Sequence, residues 1–454
     1  DMHSYSNQGA YASHGHAIAA NGLTSWRLQY VCPNIRGEAY TIYTNTPVGG
    51  AMRGYGIPQV CFAIESFMDD VANEIHMDPL EFRRKNLIQG YYEDAYLKPI
   101  AANTNGIFEC LEKGAEYIHW DEKRKEYAEQ TGDVRKGVGM ALFSYKTGVW
   151  PISLEIAGAR LSLNQDGSVQ LMLGATEIGQ GADTVFSQMV AETLHTDMEH
   201  VHIKTVQDTD VSPFDTGAYA SRQSFVTGTA VRHCAEILRD KILAYAKTLL
   251  PEIDTRELTL KDNWIWAGDE QAISLAALAE ESYYSLTNSS VLTAEVSEQV
   301  KKNTIATGCC FAEVEVDIEL GKIKILHIIN VHDSGKLLNP QLAEMQVHGG
   351  MSMGMGYGIS EQLILDEKTG RPLNGNLLDY KLMTMLDTPD IKADFVELCD
   401  PMGPYGNKAL GEPPAIPCAP AIRNAVLHAT GVAFYENPLT PQRLIDGFKK
   451  AGLI

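Results

Sequence analysis

The sequence lacks several signatures that would assign a function class at once. Its 454 residues include eight cysteines, none of them in a C-x-x-C pair, and no zinc or iron–sulfur ligand spacing is visible. This low density also excludes a disulfide scaffold. No apolar run approaches the length of a membrane span, and no signal peptide is recognisable. We therefore expect a cytoplasmic protein whose thiols are buried.

Positive charge is also scarce. Lysine and arginine total 37 against 58 aspartates and glutamates, which leaves a formal net charge of −21. Nucleic acids and anionic membranes are bound through basic patches, so this balance argues against both classes of partner. Hydrophobic residues make up 44% of the chain, an ordinary proportion for a globular protein with a sizeable core.

Helical and strand patterns are mixed along the whole chain, which predicts an α+β fold. Apolar residues at helical spacing or helix-capping residues predict helices over 58–75, from a cap at Asp78, over 182–194, over 224–250 and from a cap at Thr440. Alternating apolar residues predict a hairpin over 160–174 and a strand over 312–318.

Four polar or glycine-rich segments interrupt this periodic structure. They are 49–56 (GGAMRGYG), 174–183 (GATEIGQGAD), 216–224 (TGAYASRQS) and 411–414 (GEPP). Glycines on both sides of Arg53 let a bulky anion approach the backbone, and the guanidinium can fork onto phosphate or carboxylate. The second and third segments precede helices, where free backbone N–H groups bind anions. Tight turns and helix caps remain open as the simpler explanations of these loops.

The fourth segment places Glu412 between a glycine and two prolines. Such a stiff loop holds a carboxylate in one position, as a general base requires. An ordinary exposed loop glutamate would show the same four residues, so the local pattern leaves both interpretations open.

A different class of enzyme is suggested by residues 350–354. Their sequence GMSMG matches the G-x-S-x-G nucleophile elbow around Ser352, and Asp366 and His428 follow in the order found in serine hydrolases. The elbow requires a strand before the serine, whereas 339–347 predicts a helix or a loop. The repeated methionines and glycines of this stretch instead favour close backbone packing. A serine hydrolase that uses Ser352 is kept as the alternative.

Taken in their order, the segments resemble the molybdenum-binding subunit of bacterial xanthine dehydrogenase and, more distantly, the C-terminal region of the animal enzyme. The motifs that carry the resemblance are NQGAYASHGH at 7–16, RGYG at 53–56, GATEIGQGADTVFSQ at 174–188, DSG at 333–335 with NP at 339–340, and GEPP at 411–414. The resemblance implies α+β molybdopterin-binding domains of the xanthine dehydrogenase/aldehyde oxidase type, with mixed sheets and packed helices. We expect a first molybdopterin-binding region over 1–150 and a second over 151–454.

The resemblance implies a molybdenum hydroxylase component that adds a water-derived oxygen to an electron-poor ring carbon of a purine such as xanthine or hypoxanthine. Glu412 matches the catalytic base. Molybdenum is held by the dithiolene of a molybdopterin, which we expect in its cytosine dinucleotide form, and by no protein side chain. Electrons then pass to 2Fe–2S clusters and FAD on partner subunits and on to NAD. A nicotinate-type or other N-heterocycle hydroxylase of the same family is the alternative.

Further site residues follow from the resemblance alone. The positions matched to cofactor contacts are Arg53, Gly54, Gly179, Gln180, Gly181, Ala220, Ser221 and Ser224. The substrate is expected to contact Arg53, Tyr55, Asn21 and Trp150. Tyr55 replaces a stacking phenylalanine, which keeps an aromatic face and adds a hydroxyl. Asn21 stands where the animal enzyme has an arginine that contacts the purine, and a neutral amide cannot supply that charge.

One motif of the family is missing. The glycine-rich loop of Gly-Gly-Gly-Phe-Gly type, which precedes the 7–16 motif in relatives and contributes to their metal site, does not occur in this sequence. We therefore expect a separate companion polypeptide to carry that part, in addition to the Fe–S and FAD subunits.

Overall fold

The computed structural model describes residues 1–90, 92–93, 99–100, 104–204 and 206–454. The α-helices are α1 Ile18–Ser25, α2 Ile57–Glu74, α3 Pro79–Asn86, α4 Ile107–Ile118, α5 Trp120–Glu126, α6 Ala182–Leu194, α7 Gln223–Leu249, α8 Leu275–Tyr284, α9 Pro340–Ile359, α10 Cys418–Thr430 and α11 Pro441–Ala451. The β-strands are β1 Met2–Gly9, β2 Gly37–Tyr43, β3 Tyr92–Glu93, β4 Pro99–Ile100, β5 Val134–Lys146, β6 Ile156–Leu163, β7 Val169–Leu173, β8 Val201–Ile203, β9 Leu258–Lys261, β10 Trp264–Ala267, β11 Glu270–Ser274, β12 Thr293–Gln299, β13 Ile305–Asp317, β14 Lys322–Asp333 and β15 Ile391–Phe395.

Two compact units divide the chain. The first contains Asp1–Lys146, Thr304–Asp400 and Lys408–Ile454, and the second contains Thr147–Asn303 and Pro401–Asn407. The first unit is discontinuous because β5 and β13 pair with each other along their whole length, across the segment that separates them in the sequence. The molybdopterin-binding regions expected over 1–150 and 151–454 stay predictions, because compact units are defined by contacts and not by cofactor binding.

A four-stranded sheet in the order β15–β14–β13–β5 forms the centre of the first unit. Its strands are antiparallel except for β15, which runs parallel to β14. Cys310, Ala312 and Val314 of β13 pack in one apolar cluster with α9, α10 and α11, while Cys309 and Phe311 pack in another with α4 and α5. Both faces of β13 are therefore buried over most of its length, which is why apolar alternation predicted only its end.

Helix α10 lies directly on β5. A Cβ atom at Gly139 of β5 would stand 2.1 Å from the backbone nitrogen of Ala425, so only glycine permits this approach. Helix α10 begins at Cys418, six residues after Glu412. The close contact between β5 and α10 therefore helps to fix the position of the GEPP loop that precedes the helix.

The second unit is built on a four-stranded sheet in the order β12–β6–β7–β8. Helix α7 packs against β6 and β12 and also against α6. The strands of a smaller sheet, in the order β11–β10–β9, come between α7 and α8 in the sequence. Helices α6 and α7 each begin at the next-to-last residue of one of the glycine-rich or small-residue segments, so these segments are strand-to-helix or loop-to-helix connections.

Most sequence predictions of single elements are confirmed. The predicted helices are α2, α3, α6, α7 and α11, and the predicted hairpin is β6–β7. Asp78 caps α3 by accepting the N–H groups of Leu80 and Glu81. The expectation of buried thiols is confirmed for six of the eight cysteines and is wrong for Cys32, which is half-buried, and for Cys399, which is exposed. Within the described ranges, none of the helices has both the length and the apolar character that spanning a membrane requires.

Candidate active site

Glu412 precedes a short 3-10 turn, Pro413–Ala415, in the first unit. Its Oε2 accepts a hydrogen bond from the backbone N–H of Gly54, at 3.2 Å, and another from the hydroxyl of Tyr145. The side chain is half-buried. Glu412 is therefore a positioned carboxylate and not a freely exposed loop glutamate.

Arg53 connects the RGYG loop to the loop of Glu412. Its guanidinium donates to the carbonyl oxygen of Gly411 at 2.5 Å and to that of Gln346 on α9 at 2.8 Å. Burial lowers the pKa of Arg53, and the negative charge of the neighbouring Glu412 raises it. The effect of burial is larger, so the pKa of Arg53 is lowered. The forked donor predicted for an external anion thus binds two carbonyl groups of its own chain, and its charge lies beside Glu412.

Helix α9 packs against the two prolines and the alanine that follow Glu412. A Cβ atom at Gly350 would lie 2.4 Å from Cβ of Pro414, so the bare helix surface accommodates the proline. This contact confirms the prediction that the methionine- and glycine-rich stretch packs its backbone closely against a neighbouring segment. Ser352 lies inside α9, whose helical residues precede it from Pro340. The serine hydrolase hypothesis is wrong, because a nucleophile elbow needs a strand before the serine.

A buried ion pair anchors the beginning of the same loop. Lys408 Nζ lies 2.6 Å from Asp333 Oδ2, and both side chains are fully buried. Asp333 also accepts the N–H groups of Gly106 and Gly335, at 2.8 and 3.1 Å. The DSG motif therefore receives a structural role: it holds the segment that leads into Glu412.

Asn21 and Tyr55, two of the three expected substrate residues of the first unit, lie together. The Asn21 side chain donates to the carbonyl oxygen of Tyr55 at 2.8 Å, and the Tyr55 hydroxyl donates to the carbonyl oxygen of His14 at 2.6 Å. Burial, and secondarily the charge of Glu412, raise the pKa of Tyr55. The hydroxyl that distinguishes Tyr55 from phenylalanine is thus bonded within the chain, and the half-buried ring is what remains for a ligand.

In the second unit, the loop before α6 is closed by Glu177. Its Oε1 accepts the N–H groups of Gly179 and Gly181 at 2.7 and 3.1 Å, and its Oε2 accepts that of Asp183 at 3.1 Å. Burial raises the pKa of Glu177, but these backbone donors outweigh it and the net pKa is lowered. The prediction that this loop presents free N–H groups to an anion is therefore wrong for these three groups, because an internal carboxylate already binds them.

Gln180 completes the same loop. Its amide nitrogen donates to Thr176 O at 3.0 Å and to the side chain of Gln223 at 2.6 Å, and its Oε1 accepts the N–H of Ile178 at 2.7 Å. Both amide hydrogens are used, whereas an amide oxygen has two lone pairs and can accept a second donor. Gln180 can thus bind a donor group of a ligand, such as a pterin N–H.

The segment before α7 has an unusual backbone. Ala220 and Ser221 both have positive φ angles, 50° and 48°, which residues other than glycine rarely adopt in succession. Arg222 holds them there through Glu155, Asp215 and the carbonyl oxygens of Ile156 and Gly217. The N-cap residue of α7 is Arg222, and its side chain makes no capping hydrogen bond.

Two observations in the second unit fit a molybdopterin. The side of Gly179 on which a Cβ would stand is open, with nothing within 4 Å, so a flat ring can approach the backbone there. The hydroxyl oxygen of Thr216 is buried and has no hydrogen-bond partner among the described residues. A buried polar atom without a partner is costly, and a bound ligand would satisfy it. Trp150 also belongs to this unit, and its role as a substrate wall stays a prediction.

Sequence reasoning missed three groups that shape these loops: Tyr145, Lys408 and Glu177. Tyr145 ends an apolar strand, where a tyrosine is ordinary, and Lys408 follows a glycine-rich stretch with no periodicity. Only Glu177 had a signal that could have found it, namely an acidic residue just before a glycine-rich helix start, where backbone N–H groups attract a carboxylate.

Comparisons with known proteins agree with this geometry. Two molybdopterin cofactor-binding domain families match residues 1–87 and 113–389. The chain is 48% identical to the xanthine dehydrogenase molybdenum-binding subunit of Escherichia coli O157:H7, over 99% of this chain and 60% of that protein. It is 27% identical to the nicotine 6-hydroxylase large subunit of Paenarthrobacter nicotinovorans, over 89% and 52%. The crystal structure of quinoline 2-oxidoreductase from Pseudomonas putida 86 shares the fold, with a TM-score of 0.89 at 23% identity over 99% of this chain and 59% of that chain.

These matches define a molybdopterin-binding protein. The chain belongs to the molybdopterin cofactor-binding domain family, whose model matches residues 113–389, and the expected fold class is confirmed. The 48% identity also confirms the resemblance to the molybdenum-binding subunits of bacterial xanthine dehydrogenase. The chain spans about 60% of the length of the xanthine dehydrogenase subunits that it matches.

Proposed function

We propose that the protein containing this chain is a molybdenum hydroxylase in which Glu412 is the general base. The observation that carries the proposal is that hydrogen bonds hold the Glu412 carboxylate in one position. The Gly54 N–H and the Tyr145 hydroxyl bind one oxygen, and Arg53 ties the preceding carbonyl to α9. A carboxylate held in this way is preorganised to take a proton from a reacting group, which is the task of a general base.

The chain's own residues divide the work between binding and proton transfer. Gln180, the open side of Gly179 and the loop of Ala220, Ser221 and Ser224 would hold the cofactor. Bound molybdopterin supplies the metal centre that takes two electrons from the substrate. Glu412 would take the proton of the water-derived hydroxyl group that supplies the oxygen. The ring of Tyr55 offers an aromatic face against which a flat substrate can stack.

We infer that the substrate is a purine such as xanthine or hypoxanthine. The relative at 48% identity is named a xanthine dehydrogenase subunit, which supports this choice over the nicotine hydroxylase at 27%. Asn21 is bonded to Tyr55 and supplies no charge, so recognition of the purine has to come from other groups. Turnover of xanthine, hypoxanthine and nicotinate with an artificial electron acceptor tests the choice, and nicotinate alone being oxidised would overturn it.

We also propose the cytosine dinucleotide form of the cofactor, and partner subunits that carry 2Fe–2S clusters and FAD and pass electrons to NAD in the cytoplasm. The support is membership of a family whose named relatives are subunits. Metal, flavin and nucleotide analysis of the purified complex tests each part. The companion polypeptide with the missing glycine-rich loop stays a prediction from the resemblance.

The base is tested by Glu412→Gln, which keeps the size and one acceptor oxygen. We expect unchanged molybdenum content and a decrease in kcat of roughly 10²- to 10⁴-fold, the usual contribution of general-base catalysis. The matched control is Glu367→Gln, an exposed glutamate of the same unit, which should leave kcat unchanged. Near-normal kcat in Glu412→Gln would show that Glu412 is not the base.

A further inference from the structure

Tyr145 is a second residue that contacts the candidate base, and no sequence motif includes it. It lies at the end of β5, one residue before the strand ends at Lys146. Its side chain is 3% exposed and belongs to an apolar cluster with Ile57, Phe143 and Ile416. Its hydroxyl donates to Glu412 Oε2. The phenol is thus held by packing on its ring and delivers one hydrogen bond to the carboxylate.

The Oε2 atom of Glu412 is bound from two directions in this arrangement. A carboxylate oxygen accepts about two hydrogen bonds, one for each lone pair. Oε2 accepts the Gly54 N–H and the Tyr145 hydroxyl. The backbone of the RGYG loop and the side chain of Tyr145 therefore fix the position of this carboxylate together.

We propose that Tyr145 is a positioning residue for Glu412: its hydroxyl binds Oε2, fixes the carboxylate in place and favours its ionised form. This inference rests on the proposed function of Glu412 as base. A hydrogen bond donated to a charged acceptor is stronger than one between neutral groups, so the ionised form gains more from Tyr145 than the protonated form does.

Other charged and titratable groups around Glu412 have to be considered with Tyr145. The RGYG loop contributes the Arg53 cation and the Tyr55 phenol, each of which interacts electrostatically with Glu412. Helix α9 faces the loop with Gly350, which has no titratable group. Arg53 favours the ionised carboxylate as well, so removal of Tyr145 alone should shift the proton affinity of the site and not abolish its function.

The variant Tyr145→Phe keeps the ring and removes only the hydroxyl. We expect the acidic limb of the pH profile of kcat to move to higher pH by roughly one unit, as the loss of a charge-assisted hydrogen bond implies. On the alkaline plateau kcat should stay within about threefold of the unchanged protein, because Glu412 is ionised there in both.

The matched control is Tyr127→Phe. Tyr127 is also a buried tyrosine of the first unit, and its hydroxyl donates to the carboxylate of Glu313 at 2.7 Å. Glu313 is bound by Lys123 and is not part of the candidate site. This variant should lose a comparable amount of stability and leave the pH profile of kcat unchanged.

A second measurement does not depend on turnover. Acid titration followed by infrared difference spectroscopy should show a protonated-carboxyl band that is absent from Glu412→Gln. In Tyr145→Phe that band should appear at a higher pH than in the unchanged protein. In Tyr127→Phe it should appear at the same pH.

The outcomes separate the two proposals. If Glu412→Gln abolishes turnover while Tyr145→Phe leaves both the pH profile and the infrared titration unchanged, the role of Tyr145 is wrong and the base stands. A shift of equal size in Tyr127→Phe would also overturn the role of Tyr145, since the effect would then be general. If Glu412→Gln keeps normal turnover, the proposed function itself fails.

Discussion

The ion pair between Lys408 and Asp333 allows a quantitative prediction about the loop that carries Glu412. Its atoms are 2.6 Å apart and both side chains are fully buried. The change Lys408→Met keeps most of the side-chain volume but leaves the Asp333 charge buried, where among the described residues the N–H groups of Gly106 and Gly335 remain as donors. Removing one partner of a buried pair costs about 3–5 kcal/mol, because the remaining charge has lost its compensation.

This cost is a large part of the total stability of a folded domain, which is about 5–15 kcal/mol. Urea unfolding followed by circular dichroism should therefore show a clearly lower midpoint for Lys408→Met. Adding Asp333→Asn should restore part of the loss, because it removes the uncompensated charge. Activity should fall together with stability, since Lys408 starts the segment that leads to Glu412.

A matched surface pair provides the control. Lys113 and Asp394 lie in the same unit at 2.9 Å, but their side chains are 43% and 39% exposed. Lys113→Met should cost no more than about 1 kcal/mol, because solvent screens an exposed pair. If Lys408→Met and Lys113→Met have the same unfolding midpoint, the argument that burial makes Lys408 essential is refuted.

Three further predictions concern other parts of the chain. Glu177→Gln should speed amide hydrogen exchange at Gly179 and Gly181 by at least about tenfold, since each loses a charged acceptor worth about 1.5–3 kcal/mol; unchanged exchange would contradict the closure of this loop. Burial, assisted by the Arg53 charge, lowers the pKa of His332 to about 3. The unfolded chain therefore binds more protons between about pH 6.5 and 3, and the stability contributed by neutral His332 should be lost as pH falls through that range. The pH dependence of unfolding should be shallower in His332→Phe, and an identical slope would count against this assignment. Gly350→Ala should cost about 1–3 kcal/mol in thermal unfolding through overpacking against the Glu412 loop, and Gly349→Ala, whose nearest neighbour would be 3.5 Å away, should cost less; equal costs would disprove the close-packing argument.

Prediction from the sequence succeeded where the information is local. Helices α2 and α6 follow from apolar residues at helical spacing, and the cap at Asp78 follows from a short pattern of neighbouring residues. The GEPP loop could be located in the same way, because glycine and two prolines restrict the backbone whatever surrounds them. The order of such segments also sufficed for the family.

The partners of polar groups in the glycine-rich loops were not predicted, whether they lie near in the sequence, as Glu177 does, or far away, as Gly411 and Gln346 do. The free N–H groups expected before α6 are bound by Glu177, and the arginine fork expected to bind an anion binds Gly411 and Gln346. Both expectations assumed that a polar group near a glycine-rich loop is available to a ligand. Whether it is available depends on which other group folds against it.

By itself, the sequence determined the mixed helix and strand content and the glycine-rich connections, because each depends on neighbouring residues and on backbone restrictions. It pointed to Glu412 as the candidate base only through the order of its motifs and the resemblance that they carry. The tertiary structure decided how that base is held. Tyr145 and Gly54 are more than 250 residues from Glu412 in the sequence, and they reach its carboxylate only because β5, the RGYG loop and α10 pack in one unit. Hydrogen bonds and burial depend on distance in space, so no local pattern of residues could have shown which groups bind the Glu412 carboxylate.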